Sequence, residues 1–245
     1  MAGHSKWANI KHRKGRQDAL RAKITTKVGR EITIAVKIGG ADPALNMKLK
    51  LALQKAKEGN VPKDNIQRAI QKGQGGGDVG NYEEIRYEGY GPSGVAVFVD
   101  ALTDNRNRTA ADVRHLFTKY GGNLGESGSV AWMFDPKGVF VIELATCSLA
   151  EEDLMLLVLE AGAEDFSIEE GHYEVTTTPE GFDGVLEALE KAEIETQMAQ
   201  VTMVPQTTIS LDGKESEKMI KLLEALEDHD DVQEVYSNFE MPEEE

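Results

Sequence analysis

A chain of 245 residues, 40% of them hydrophobic and 29% charged, has enough apolar surface for more than one core, which excludes wholesale disorder. Its longest strongly apolar run, 154–159, falls far short of the ~20 residues of a membrane span, and its single cysteine, Cys147, excludes an internal disulfide or a thiolate metal site and fits a reducing, cytoplasmic compartment. The formal net charge of −16 conceals a partition: residues 1–80 carry 17 Lys and Arg against 6 Asp and Glu, whereas the remainder carries 10 against 37.

From Gln17 to Ile38, Leu20, Ile24, Val28, Ile32 and Val36 recur at every fourth position, the stripe of an amphipathic helix, and Gly39-Gly40 ends it. Asp42-Pro43 predicts the start of a second helix, with Asp42 as N-cap and Leu45, Leu49, Ala52 and Ala56 on its inner face up to Gly59. Val61-Pro62 opens a third, which ends near Lys72 and leaves 73–80 as a Gly-rich linker. Beyond it the period changes. A hairpin is expected over 84–90 and 95–102, then a helix over 110–120 and a strand over 130–134. The block 139–204 reads as a complete βαββαβ unit. A strand near 207–211, a helix over 215–227 and a strand over 232–239 complete a second unit begun by 95–134. The expected fold is therefore α+β: an N-terminal three-helix domain with its linker (1–80), then two ferredoxin-like βαββαβ-type domains, one (136–204) inserted in the other (81–135 plus 205–245).

Lys6, Lys11, Arg13, Lys14, Arg16, Arg21, Lys23, Lys27 and Arg30 stand against only Asp18 in the first thirty residues, with Trp7 and His12 among them. Lys and Arg release condensed counterions when they neutralise phosphates, and an indole stacks on an unpaired base. This segment is the candidate nucleic-acid contact. Asp104-Asn105-Arg106-Asn107-Arg108-Thr109 enters a predicted helix, with Thr109 and Asp112 as its capping pair, so Arg106 and Arg108 beside helix N–H groups form a second candidate anion site. The alternative is that these arginines pair with neighbouring carboxylates in an acidic surrounding.

Two G-x-G-x-x-G segments, 75–80 and 89–94, lack the strand-to-helix context that a dinucleotide loop requires. His4 and His12 lack metal-ligand spacing. No nucleophile elbow, Walker loop or zincin helix occurs, so neither catalysis nor a cofactor is expected. Asp104, Arg106 and His115 are the one cluster an enzyme reading would use.

Met1-Ala2-Gly3-His4-Ser5-Lys6-Trp7, Tyr87-Glu88-Gly89-Tyr90-Gly91-Pro92, Thr103-Asp104-Asn105-Arg106-Asn107-Arg108-Thr109, Gly121-Gly122-Asn123-Leu124-Gly125 and Gly128-Ser129-Val130 closely resemble the signatures of the YebC family along the whole chain. Ser93 stands where the family pattern has Gly. The resemblance implies a three-domain cytoplasmic regulator of gene expression that binds DNA. It also implies an alternative, a translation factor that meets ribosomal RNA and transfer RNA on the ribosome and relieves stalling on proline-rich stretches, with no membrane partner.

Overall fold

The computed structural model describes residues 21–75, 81–169 and 171–240. Helix α1 (Arg21–Gly39) buries Val28, Ile32, Ala35 and Val36 against Leu49, Ala52 and Ala56 of α2 (Met47–Glu58) and Ala69 of α3 (Lys63–Gly73). The predicted stripe is the one that packs, while its first residues, 17–20, lie outside those described. A Cβ at Gly73 would stand 2.6 Å from the Thr33 carbonyl oxygen, so α3 crosses α1 at a distance only glycine permits.

The second helix starts four residues later than Asp42-Pro43 suggested. Asn46, buried at 6% exposure, accepts from the Leu49 N–H (3.1 Å) and donates to the carbonyls of Ala35 and Gly40 (2.8 Å each). One amide thus caps the start of α2 and satisfies carbonyls at the end of α1. The Asp42 carboxylate accepts from the Ala44 N–H (3.0 Å) and closes a separate turn.

Strands β1 (Glu83–Tyr90) and β2 (Ala96–Thr103) form the expected hairpin, in register from Glu83 opposite Thr103 to Tyr90 opposite Ala96. A 3₁₀ turn, Pro92–Gly94, joins them. Helix α4 (Arg106–Lys119) follows, then the two-residue β3 (Asn123–Leu124), which pairs with Gly89 and Tyr90. A Cβ at Gly89 would lie 2.6 Å from the Asn123 carbonyl oxygen and 2.8 Å from the Phe117 ring, so the glycine of the Tyr-Glu-Gly-Tyr motif lets β3 and α4 approach together.

The strand expected over 130–134 is not one. Residues Ala131–Met133 form a 3₁₀ turn, and Phe134 instead opens a long strand β4 (Phe134–Glu143). The cause lies forty residues away in sequence: the buried Glu88 carboxylate accepts from the N–H groups of Gly128 (2.7 Å), Val130 and Ala131 (2.8 Å each). Those donors are used by a side chain, leaving no ladder for a strand to join.

Helix α5 (Glu151–Glu160), β5 (Asp165–Glu169), β6 (His172–Thr177), α6 (Phe182–Lys191) and β7 (Met198–Pro205) follow as predicted. The chain then runs through β8 (Ile209–Ser210), α7 (Gly213–Asp228), β9 (Val232–Ser237) and β10 (Phe239–Glu240). Two four-stranded antiparallel sheets result, in the orders β3-β1-β2-β9 and β5-β6-β4-β7, with β8 and β10 as a short parallel pair. Helices α4 and α7 cover one face of the first sheet through Val113, Phe117, Met219, Leu222 and Leu226. Helices α5 and α6 cover the second through Leu154, Val158, Phe182, Val185 and Leu189. Between the sheets, Phe98, Val130 and Phe134 form a further buried cluster with Met203 and Tyr236. The fold is α+β, N-terminal helices followed by antiparallel sheets. Among the described residues no helix is long and apolar enough to cross a membrane.

Candidate nucleic-acid interface

The helical period that buries Val28 and Ile32 turns Lys23, Lys27 and Arg30 to another side of α1, because residues three and four apart share a face. That side meets the C-terminal end of α7 and the turn after it. Lys23 forms an ion pair with the Asp228 carboxylate and also donates to the Asp228 carbonyl (3.1 Å). Lys27 donates to the Glu227 carbonyl (2.6 Å). Arg30 donates to the carbonyls of Leu102 (3.3 Å) and Asp230 (3.1 Å) and to the Asp231 carboxylate (3.3 Å), and its guanidinium lies 5.0 Å from the centre of the Tyr82 ring. Burial pulls the Lys27 amine below its ordinary pKa, against the opposing pull of Glu234, Glu227 and Asp230. Cations at a helix C-terminus also meet the negative end of its dipole. Three of the candidate phosphate ligands are therefore held by the chain's own acidic segment.

Asp231 is the node of this contact. It is 5% exposed, and its carboxylate accepts from Arg108 (2.8 Å), the Thr109 hydroxyl (2.8 Å) and the Thr103 hydroxyl (3.1 Å), besides Arg30. Burial alone would raise its pKa. The hydrogen bonds from Arg108 and Thr109, the charge of Arg108 and the bond from Thr103 outweigh that and hold the carboxyl below the usual range.

Around the second candidate site, Asn105 rather than Thr109 is the N-cap of α4, its side chain accepting from the Arg108 N–H (3.1 Å). Thr109 is fully buried and committed to Asp231. Arg108 bridges Asp104 (3.0 Å) and Asp231 (2.8 Å), so for this residue the carboxylate-paired alternative is the one found. Arg106 is exposed in the first turn of the helix, where its guanidinium can meet an anion alongside the helix N–H groups. Asp104 is taken by Arg108, and His115 is exposed two turns further along α4.

Lys6, Trp7, Lys11, His12, Arg13, Lys14 and Arg16 lie outside the described residues, and Arg21 opens α1. Sequence reasoning overlooked Trp132. This indole is 67% exposed and fixed in orientation by its N–H, which donates to the Ser129 carbonyl (3.1 Å). It stands beside the loop that Glu88 anchors and has the form of a stacking platform. Trp132 falls inside the strand expected over 130–134; the missed signal was Glu88, the one carboxylate of β1 that is buried.

The geometry has counterparts. The model of the TACO1/YebC protein N-terminal domain matches residues 5–76, and that of the TACO1/YebC second and third domain matches residues 82–239. A "Probable transcriptional regulatory protein" of Natranaerobius thermophilus is 56% identical over 242 residues, covering 98% of this chain and 97% of its own. One of the same description from Geotalea uraniireducens is 55% identical over 245 residues, covering 100% and 98%. The crystal structure of a conserved hypothetical protein from Aquifex aeolicus superposes with a TM-score of 0.82 at 47% identity over 98% of both chains. With helices, both sheets and signature loops matched along nearly its whole length, the chain belongs to the TACO1/YebC family.

Proposed function

We propose that this chain is a cytoplasmic, non-enzymatic regulator of gene expression that binds DNA through its basic N-terminal segment, in keeping with the names its relatives carry. We divide it into a helical unit (1–80), a split α/β unit (81–135 plus 205–245) and an inserted unit (136–204). The observation that carries the reading is the segregation of charge, 17 basic against 6 acidic residues in 1–80 and the reverse beyond. Charges are screened over ~8 Å at physiological salt, so a local basic surface acts on phosphate despite a net-negative molecule. Lys23, Lys27 and Arg30 are partly spent on the acidic segment, which leaves Lys6, Lys11, Arg13, Lys14, Arg16 and Arg21 as the primary phosphate ligands. In this reading Trp7 stacks on a base and His12 hydrogen-bonds, while Arg106 gives secondary contact, joined by Arg108 only if phosphate displaces Asp104 and Asp231 from it.

Fluorescence anisotropy with a labelled duplex, repeated across a salt series, tests this. If about seven phosphates are engaged, affinity falls by ~10³–10⁴ between 50 and 200 mM salt. Replacing Lys11, Arg13, Lys14 and Arg16 by Glu removes about four of those contacts and flattens the salt slope. Binding and slope left unchanged would refute the proposal. Cosedimentation with purified ribosomes, run in parallel, would transfer the same phosphate chemistry to ribosomal RNA if ribosomes but not duplex DNA retain the protein.

A further inference from the structure

The longest strongly apolar run of the chain, 154–159, gives only Leu154 and Val158 wholly to the core beneath α5. Met155, Leu156 and Leu159 are 40%, 57% and 44% exposed. Residues three and four apart are neighbours on a helix, so Leu159 adjoins both Met155 and Leu156 and the three make one continuous apolar face. Ile168 on β5 is 47% exposed and stands in the same layer. Phe166, two residues earlier, packs into the core that α5 covers, and side chains two apart on a strand point the same way. Strand β5 is the outer strand of its sheet.

Covering the sheet does not require this face. Helix α6 covers the same sheet and buries Phe182, Val185, Leu186 and Leu189, yet it presents Glu187, Glu190 and Lys191 to water. An apolar patch rimmed by charge, on one helix of the two, is the form of a protein interaction surface.

The rim indicates what covers it. Glu152, Asp153 and Glu160 each lie one turn from Leu156, and all are exposed. Carboxylates suit the first turn of a helix, but Glu160 is in the last, where the dipole opposes an anion, so the helix itself does not call for it. Residues 136–204 hold 16 Asp and Glu against two Lys. Both lysines are already paired, Lys137 with Glu164 (2.7 Å) and Lys191 with Glu187 (3.5 Å). A second copy would set these carboxylates against their like, and nucleic acid or an anionic membrane would be repelled. A cationic protein segment meets neither obstacle.

We propose that α5 docks a cationic amphipathic helix of a partner protein, whose apolar stripe covers Met155, Leu156, Leu159 and Ile168 and whose lysines or arginines meet Glu152, Asp153 and Glu160. None of the cations of the nucleic-acid reading takes part, so the two stand or fall separately.

Fluorescence anisotropy of a labelled helical peptide with one face of Leu and the other of Lys, titrated with the full chain at ~150 mM salt, tests this, since diffuse attraction to an acidic protein is screened there. A second peptide with Ala for every Leu keeps the charge and loses the stripe. The Leu-Lys peptide should bind saturably and the Ala-Lys peptide at least about tenfold more weakly. Leu156→Ser with Leu159→Ser should weaken the Leu-Lys peptide by about tenfold or more while leaving the thermal midpoint close to the parent's, because both positions are exposed. Glu152→Gln with Glu160→Gln should weaken it by about three- to tenfold and lower its salt dependence. No saturable binding, equal affinity for the two peptides, or an affinity unchanged by either pair of substitutions would overturn the proposal. So would a parent chain that dimerises on sedimentation while the Leu156→Ser, Leu159→Ser variant stays monomeric, which would give the face to a second copy.

Discussion

Glu88 shows how one side chain decides local structure. Its carboxylate is 5% exposed and collects three backbone N–H groups at 2.7–2.8 Å. Burial raises its pKa, but the bonds from Gly128, Val130 and Ala131, with the charge of Arg86, prevail and hold it below the usual range. A carboxyl depressed in the folded state stabilises fully above its unfolded pKa of ~4.3, and the contribution disappears as pH falls through the lower folded value. Glu88→Gln keeps the shape and removes the charge, so it should cost about 2–3 kcal/mol at pH 7. In urea titrations the gap between variant and parent should narrow below pH ~4; a gap that stays constant with pH would rule out the carboxylate as its source. The sequence displays Glu88 inside a motif but not what it holds, because its three partners lie 40 to 43 residues away.

At the scale of elements, the turn between β1 and β2 is the local weak point. Ser93 has φ 55° and Gly94 φ 81°, so a residue with a Cβ occupies the left-handed region that glycine fills without strain. Ser93→Gly should stabilise the hairpin by about 0.5–1 kcal/mol, the strain relieved less the added freedom of the unfolded chain. Thermal unfolding would reveal it as a small upward shift, and a downward one would show that the Ser93 side chain contributes more than its backbone costs. Elements with strong periodicity were legible in advance: α1 buries Val28, Ile32 and Val36 of the stripe its spacing nominated, and α6 and α7 lie within a few residues of the ranges expected for them. Their boundaries were less so. Asn46 and Asn105 each displaced a nearer capping signal, Asp42 and Thr109 respectively. In both cases the signal residue was already committed elsewhere, Asp42 to a preceding turn and Thr109 to Asp231. The basic stripe on α1 could likewise be read as a stripe, whereas its acidic counterpart, some 200 residues on, left no local trace beyond composition.

For the whole molecule, the ion pairs and carbonyl contacts between α1 and residues 227–231 occupy three cations that the proposed function would otherwise offer to phosphate. Any DNA that engaged Lys23, Lys27 and Arg30 would first have to displace the carboxylates of Asp228 and Asp231 and the backbone carbonyls of Glu227 and Asp230. Asp228→Asn together with Asp230→Asn should therefore tighten duplex binding by about two- to fivefold at moderate salt, since the exposed Lys23–Asp228 pair is worth only ~0.2–1 kcal/mol and Asp230 adds no more than its charge near Lys27. Competition binding against the parent protein would measure it, and unchanged affinity would place those three cations outside the DNA contact.

The first sheet also cannot close until its last strand arrives. Strand β9 pairs with β2 only after the whole β4–β7 block has been made, and Asp231 follows Arg30 by 201 residues. At a synthesis rate of ~5–20 residues per second, the basic helix is out in the cell for about 10–40 s before its acidic counterweight exists. Every newborn copy thus passes through a cationic youth, in which Lys23, Lys27 and Arg30 lack the partners that hold them in the folded chain.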